Sequence, residues 1–250
     1  MGFGIAQALL QEGASVVISQ RTRPELERAA AELTRFGPVA YQVCDVTDRA
    51  QVEALFDFTT ETFGRLDVLA ANHGMDHRSK FLELDETDWD RVMSVNLKGM
   101  FLCGQAAARR MVASRTRGRI VLTSSICGPA AEADCAHYNA SKGGVSALCK
   151  AMAVDLAEYG IVTNAVAPGW ILSQNTEFMV TPGQLAGTER FPINPIGRIG
   201  LPLDIGRAVA WLADPRTTFV SGVIIPVDGA QTAELAYLDA VTEPPAQLWA

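Results

Sequence analysis

The sequence has few residues of the kinds that bind metals or form disulfide frameworks. It has only three histidines among 250 residues, and their spacing does not resemble that of metal ligands. The five cysteines are scattered and odd in number, which predicts reduced thiols in a cytoplasmic protein. No metal site is therefore predicted.

Long apolar runs and basic stripes are also missing. No apolar stretch approaches the roughly 18 residues of a membrane span, and no secretory signal pattern is found at the N-terminus. The net charge of −7 and the lack of a basic stripe disfavour a nucleic-acid partner. Neither a nucleic acid nor a membrane is therefore the expected partner.

Strand-like and helix-like segments alternate along the chain. This alternation predicts one α/β domain over residues 1–250, with a doubly wound parallel sheet. An irregular segment at about 172–200 is predicted to be a substrate loop, since long loops of this kind usually cover binding sites. The most regular helical patterns cover about 87–112 and 138–159.

The most informative stretch runs from a strand ending in Ser125 to a helix that carries Tyr138 and Lys142. The tyrosine and the lysine are four residues apart and share one helix face. An ammonium near a phenol favours the phenolate, so we expect the pKa of Tyr138 to fall below its usual value. Such a tyrosine exchanges a proton in alcohol–carbonyl interconversion, with Ser125 bonded to the same substrate oxygen. From the spacing alone, a solvated helix face is the commoner explanation.

With the segment Asn164-Ala165-Val166-Ala167-Pro168-Gly169, the pattern resembles the short-chain dehydrogenase/reductase family, particularly its 3-oxoacyl-[acyl-carrier-protein] reductase-like members. The resemblance runs from Gly2 to about Gly229, so that residues 230–250 form a C-terminal extension. It implies a Rossmann-type fold and an oxidoreductase that interconverts a carbonyl and a secondary alcohol. The catalytic residues implied are Asn96, Ser125, Tyr138 and Lys142. The same resemblance implies a homotetramer or dimer, built on the two long helices.

The cofactor-binding residues implied by the resemblance are spread over the whole chain. Asp45 and Val46 are expected beside the adenine, and Ile171 near the nicotinamide carboxamide. Asn72 is expected to tie neighbouring strands together, and Gly74 to allow a close approach of the cofactor. His73 stands where the family usually has a small residue. It is interpreted as a second proton donor, as a substrate contact or as a packed side chain. The full predicted set is Gly2, Gly4, Ile5, Arg21, Asp45, Val46, Asn72, Gly74, Tyr138, Lys142, Pro168, Gly169, Ile171 and Ser173.

The cofactor is predicted to be NADP(H) rather than NAD(H). An acidic residue after the strand at about 15–19 would bind the adenosine ribose and repel a 2′-phosphate. This sequence has Gln20 and Arg21 there, and the arginine can pair with the phosphate. The alternative is a surface arginine before a helix.

The start of the sequence departs from the family pattern. Gly2 and Gly4 match the last two glycines of Thr-Gly-x-x-x-Gly-x-Gly, but the first glycine and its preceding strand are absent. In the family that strand is central, so its loss predicts two inner strand edges without partners. We expect the true start to lie upstream. The alternative is a non-catalytic or cofactor-compromised subunit, and a third possibility is dehydration or epimerisation on the same fold.

Overall fold

The computed structural model describes residues 1–174 and 176–234, so most of the predicted C-terminal extension lies outside the described residues. Within these ranges, helices and parallel strands alternate as predicted. The strands are β1 Val16–Gln20, β2 Val39–Val43, β3 Val68–Ala71, β4 Arg119–Thr123, β5 Val162–Pro168 and β6 Ile224–Val227. The helices are α1 Gly2–Gln11, α2 Arg23–Leu33, α3 Arg49–Phe63, α4 Glu86–Met93, α5 Gly99–Ala113, α6 Ala136–Asp155, α7 Pro182–Ala186 and α8 Pro202–Ala213.

The strands form two parallel sheets. One contains β1 and β2, and the other has the order β3-β4-β5-β6. One edge of β1 and one edge of β3 therefore have no strand partner in the described part of the chain. This is the consequence expected from the absent first strand.

Helix α1 packs against both sheets. Its Ile5 belongs to a buried cluster with Val121 of β4 and Val166 of β5. Its Ala6 and Leu10 belong to another cluster that includes residues of β1 and β2. Through these two neighbouring faces, α1 connects the two sheets.

The crossing of α1 and α8 is unusually close and depends on two glycines. A Cβ at Gly4 would lie 2.3 Å from the carbonyl carbon of Pro202, and a Cβ at Gly206 would lie 2.1 Å from the Gly4 oxygen. Backbone atoms occupy the space that a side chain would need. Gly4, predicted as a cofactor residue, thus has a structural requirement of its own.

The helix predicted over 87–112 is interrupted. Asp85 caps its first part, α4, by accepting a hydrogen bond from the Asp88 N–H at 2.8 Å. A π-helical turn at Ser94–Lys98 follows, and α5 then continues to Ala113. Such turns are often found at functional sites, and this one contains Asn96.

Two local features differ from what the sequence pattern predicts. Thr22-x-x-Glu25 has the pattern of a capping box, but the Thr22 side chain makes no cap bond and Glu25 instead accepts a hydrogen bond from Gln20 Nε2 at 2.8 Å. The predicted loop at 172–200 contains the short helix α7, which has a capping box formed by Thr181 and Gln184. None of the helices in the described ranges has the length and apolar character needed to cross a membrane.

Candidate active site

The predicted catalytic residues come from the segment after β4, from the first two turns of α6 and from the π-helical turn between α4 and α5. Strand β4 is entirely buried, and it delivers Thr123, Ser124 and Ser125 to one edge of the sheet. Ser124 Oγ donates a hydrogen bond to the Lys142 carbonyl oxygen at 3.0 Å, which joins this strand end to α6. Parallel sheets bind ligands at this edge.

The lysine side chain is buried and points back to the strand. Lys142 Nζ donates a hydrogen bond to the Thr123 carbonyl oxygen at 2.9 Å and lies 5.7 Å from the centre of the Tyr138 ring. A Cβ at Gly74 would be 3.4 Å from the same Nζ, so this glycine lies directly beside the lysine. Tyr138, Lys142 and Gly74 are thus brought together.

The expected lowering of the tyrosine pKa is not found in this structure. Burial raises the pKa of Tyr138 to about 12, an effect opposed in part by a hydrogen bond with Ser125. Burial also lowers the pKa of Lys142 to about 8. Desolvation disfavours the charged form of both groups and outweighs the attraction on which the prediction rested.

Ser125 and Asn96 are both held in place by backbone groups. Ser125 Oγ accepts a hydrogen bond from the Cys127 N–H at 3.1 Å. Asn96 is fully buried, and its amide donates to the Met75 carbonyl oxygen while its Oδ1 accepts from the Met75 N–H, both at 2.8 Å. Asn96 Nδ2 also donates to Ser141 Oγ at 3.1 Å. The sequence reasoning missed Met75 and Ser141; only the position of Ser141 beside Lys142 pointed to it.

Gly2, which is predicted to bind the cofactor, is the first residue of α1. A Cβ at Gly2 would lie 3.3 Å from Asn72 Nδ2, so the free N–H groups of this helix start lie beside the end of β3. Asn72 Oδ1 accepts a hydrogen bond from Thr123 Oγ1 at 3.4 Å, which joins β3 to β4. Ile5, also in the predicted set, is buried in the core instead.

The predicted adenosine end lies on the two-stranded sheet. Arg21 is exposed directly after β1. Asp45 Oδ1 accepts hydrogen bonds from the Thr47 N–H and hydroxyl at 2.9 and 2.7 Å, and these bonds lower the pKa of Asp45. Val46 is close to His73, because a Cβ at Gly99 would contact both side chains. Burial lowers the pKa of His73 to about 4, so this imidazole is packed and neutral at pH 7.

The segment predicted to cover the nicotinamide follows β5. Gly169 has Asp228 against it, where a Cβ would lie 2.7 Å from the Asp228 Cβ. Ile171 is buried and forms a single parallel bridge with Gly200. The Ser173 N–H donates to Thr176 Oγ1 at 2.8 Å, and the two hydroxyls are 3.2 Å apart. Pro168, Gly169, Ile171 and Ser173 thus form a continuous segment next to the end of β5.

Other polar groups near Tyr138 had no assigned function in the sequence. Glu132 forms an ion pair with Arg78, and its backbone N–H and carbonyl both bond to the Asn139 amide. Cys127 and Cys135 are free and buried. In the described ranges, no three His, Cys, Asp or Glu side chains are grouped so that they would hold a metal ion.

Comparison with known proteins identifies the family. Residues 1–232 match the family described as enoyl-(acyl carrier protein) reductase. The structure is similar to that of a short-chain type dehydrogenase/reductase from Mycobacterium marinum, with a TM-score of 0.85 and 32% identity over 93% of this chain and 91% of that one. The chain belongs to the short-chain dehydrogenase/reductase family.

Two curated relatives agree with this assignment. Cis-4-hydroxycyclohexanecarboxylate dehydrogenase from Sinomonas cyclohexanicum is 39% identical over 236 residues, which cover 93% of this chain and 92% of the relative. A (5R,7aS)-5-hydroxy-7a-methyl-1-oxo-2,3,5,6,7,7a-hexahydro-1H-indene-carboxyl-CoA reductase from Mycobacterium tuberculosis is 37% identical over 232 residues, covering 91% and 87%. This member of the short-chain dehydrogenase/reductase family is therefore an oxidoreductase for CH–OH groups that uses a nicotinamide cofactor.

Proposed function

We propose that the protein is an NADP(H)-dependent oxidoreductase that interconverts a ketone and a secondary alcohol. The observation that carries this proposal is the convergence of Ser125, Tyr138 and Lys142 at the carboxyl edge of the sheet, with Asn96 behind them. When bound, the nicotinamide supplies or accepts the hydride. The protein contributes proton transfer and orientation.

Each residue has a distinct role in this proposal. Tyr138 gives its hydroxyl proton to the carbonyl oxygen in reduction and takes it back in oxidation. Ser125 donates a hydrogen bond to the same oxygen. Lys142, charged below pH 8, stabilises the phenolate that remains and binds the ribose of the nicotinamide. Asn96 orients the polar groups through which the proton is replaced.

The preference for NADP(H) rests on Arg21. Its guanidinium is exposed after β1, where a 2′-phosphate would be found, and the neutral Gln20 beside it would not repel that phosphate. Apart from Ile5, which is buried in the core, the predicted cofactor residues from Gly2 to Ser173 would hold the dinucleotide along the edge of both sheets.

A cytoplasmic homodimer or homotetramer of this single domain also belongs to the proposal. The five cysteines are free and buried, as expected in a reducing compartment. An apolar groove between α4, α5 and α6 is lined by Met93, Leu97, Phe101 and Leu148, and these are the helices on which the family forms its oligomers. The irregular segment at 172–200 would select the small-molecule substrate.

One observation favours a second candidate, a subunit of the same fold that does not bind the cofactor productively. In the described part of the chain, β1 and β3 each have one edge without a strand partner, and the resemblance to the family implies a strand there beside the pyrophosphate. In this candidate, the catalytic residues remain in place without a correctly seated cofactor.

Two measurements test these candidates: turnover after replacement of Tyr138 by Phe, and cofactor binding by the unaltered protein. We expect turnover to fall by about 10³-fold, because the general acid is lost, while the Kd for NADPH changes by less than about threefold. Turnover is followed at 340 nm with a panel of ketones and secondary alcohols, and binding by NADPH fluorescence. Unchanged turnover in Tyr138→Phe would contradict the proposed role, and no cofactor binding by the unaltered protein would favour the second candidate.

A further inference from the structure

His137 is a fully buried histidine that neither the proposed reaction nor the core packing explains. It is the second residue of α6 and directly precedes Tyr138. Neither ring nitrogen has a hydrogen-bond partner, and the side chain is 0% exposed. A buried polar group without a partner is costly, so a residue of this kind usually has one in the working protein.

A second histidine connects this position with the surface. The ring of His77, in the segment after β3, meets the ring of His137 edge to face, with 6.1 Å between their centres. His77 Nε2 is 3.0 Å from Asp88 Oδ2 on α4, and the side chain of His77 is half exposed. One bridging water molecule would be enough to connect a nitrogen of one imidazole with a nitrogen of the other.

The buried histidine, His137, is connected through α6 with the predicted catalytic residue Asn96. Ser141 lies one turn after His137 on the same face of α6, and it accepts a hydrogen bond from Asn96 Nδ2. Ser141 Oγ in turn donates to the Tyr138 carbonyl oxygen at 2.8 Å. Asn96 also bonds to both backbone groups of Met75, two residues before His77. The Asn96 amide is therefore bonded both to α6, which carries His137, and to the segment after β3, which carries His77.

We propose that His137, His77 and Asp88 form a proton path between the active-site end of α6 and the solvent. A neutral imidazole accepts a proton at one nitrogen and releases one from the other, so it passes a proton on without a net change of charge. Each oxidation of an alcohol releases one proton, and each reduction of a ketone consumes one. The use of the path in turnover rests on the proposed function, whereas the path itself does not.

The three histidines of the chain allow a direct test. The full-length protein is labelled with ¹⁵N-histidine, and the ring resonances are assigned with single substitutions. Exchange of the His137 ring N–H with water is then measured in the unaltered protein and in His77→Phe. We expect exchange within about a second despite complete burial, and at least fivefold slower exchange in the variant.

Two comparisons separate the path from a structural role of His77. In His77→Ala, added imidazole enters the space at the surface, so we expect it to restore the exchange of His137 with a saturable dependence on its concentration. Asp90→Asn, an exposed change on the same helix as Asp88, serves as the matched control and leaves the exchange unchanged.

The result that would overturn the proposal is exchange of His137 that slows by less than fivefold in His77→Phe, or that takes longer than an hour in the unaltered protein. Failure of imidazole to restore exchange in His77→Ala would overturn it as well. Loss of the proposed enzymatic function would be detected separately, by the cofactor titration of the unaltered protein and by the turnover of Tyr138→Phe.

Discussion

The proposed reaction centre and the predicted adenosine end of the cofactor site are supported very differently by this chain. Around the reaction centre, every residue of β4 and β5 is buried, and Asn96 and Lys142 both make hydrogen bonds inside the protein. At the adenosine end, β1 and β2 form a partly exposed two-stranded sheet, and Arg21 is exposed.

In the proposed function, binding of the adenosine end of the cofactor therefore depends on the sheet of β1 and β2, whereas proton transfer depends on the buried end of β4 and on α6. Two strands are rarely stable unless other elements pack against them. Here α1 supports both the two-stranded sheet and the core beside β4 and β5. A change in α1 should therefore impair cofactor binding before it alters the geometry of Tyr138 and Lys142.

The largest expected effect concerns the buried charge in the reaction centre. The pKa of Lys142 falls from 10.5 to about 8 on folding, so between these pH values the unfolded state binds more protons than the folded state. The free energy of unfolding of the unaltered protein should therefore rise with pH across this window, relative to Lys142→Met, by up to about 3 kcal/mol.

The comparison is made by urea denaturation of both proteins at pH 7.5, 9 and 10.5. The buried thiols titrate in both proteins, so their contribution cancels in the difference. If the free energy of unfolding changed with pH in the same way in both proteins, Lys142 would not be desolvated on folding. The reaction centre would then not differ from the adenosine end in this respect.

The next effect concerns the connection between the regions. In Gly4→Ala, the new methyl group meets the backbone of Pro202, which neither helix can move without separating from the other. We expect a loss of about 2 kcal/mol in the free energy of unfolding, because overpacking outweighs the higher helix propensity of alanine. Urea denaturation followed by tryptophan fluorescence measures it.

Gly2→Ala is the matched control for this change. Its methyl group would meet only the end of the Asn72 side chain at 3.3 Å. We expect unchanged stability and NADPH binding weakened about fivefold. Equal losses of stability in both variants would mean that the close packing of α1 against α8 does not require glycine at position 4.

The smallest effect is expected at the exposed adenosine end. Arg21→Glu should weaken NADPH binding about tenfold, or about 1.4 kcal/mol, and change NADH binding by less than about twofold, because only the former has a 2′-phosphate. Titration of both cofactors by fluorescence tests this. Equal weakening of both would show that Arg21 does not contact the phosphate.

Much of the fold is predictable because its elements are short and separated by clear signals. The strand predicted at about 15–19 is β1 Val16–Gln20, and the strand edges expected to lack partners are those of β1 and β3. The resemblance to the family implies Asn96, Ser125, Tyr138 and Lys142 as the catalytic residues, and the fold brings these four side chains to one region.

The remaining features depend on tertiary contacts that no local pattern contains. The pKa of Tyr138 rises because burial outweighs the nearby ammonium, and the degree of burial is not encoded in a four-residue spacing. Gly4 is required by α8, which lies about 200 residues further along the chain. The interruption at Asn96 was invisible because the apolar periodicity continues on both sides of it.

That interruption also constrains changes in chain length. A π-helical turn contains one residue more than the regular helix needs, and this surplus sets the rotation of everything after it by about 100°. Removal of one residue from Ser94–Lys98 would produce a more regular helix and yet turn the whole of α5 relative to α4. In this segment, we therefore expect an insertion or deletion to be more damaging than most substitutions. It would rotate the buried side of α5 away from the core while α4 keeps its orientation.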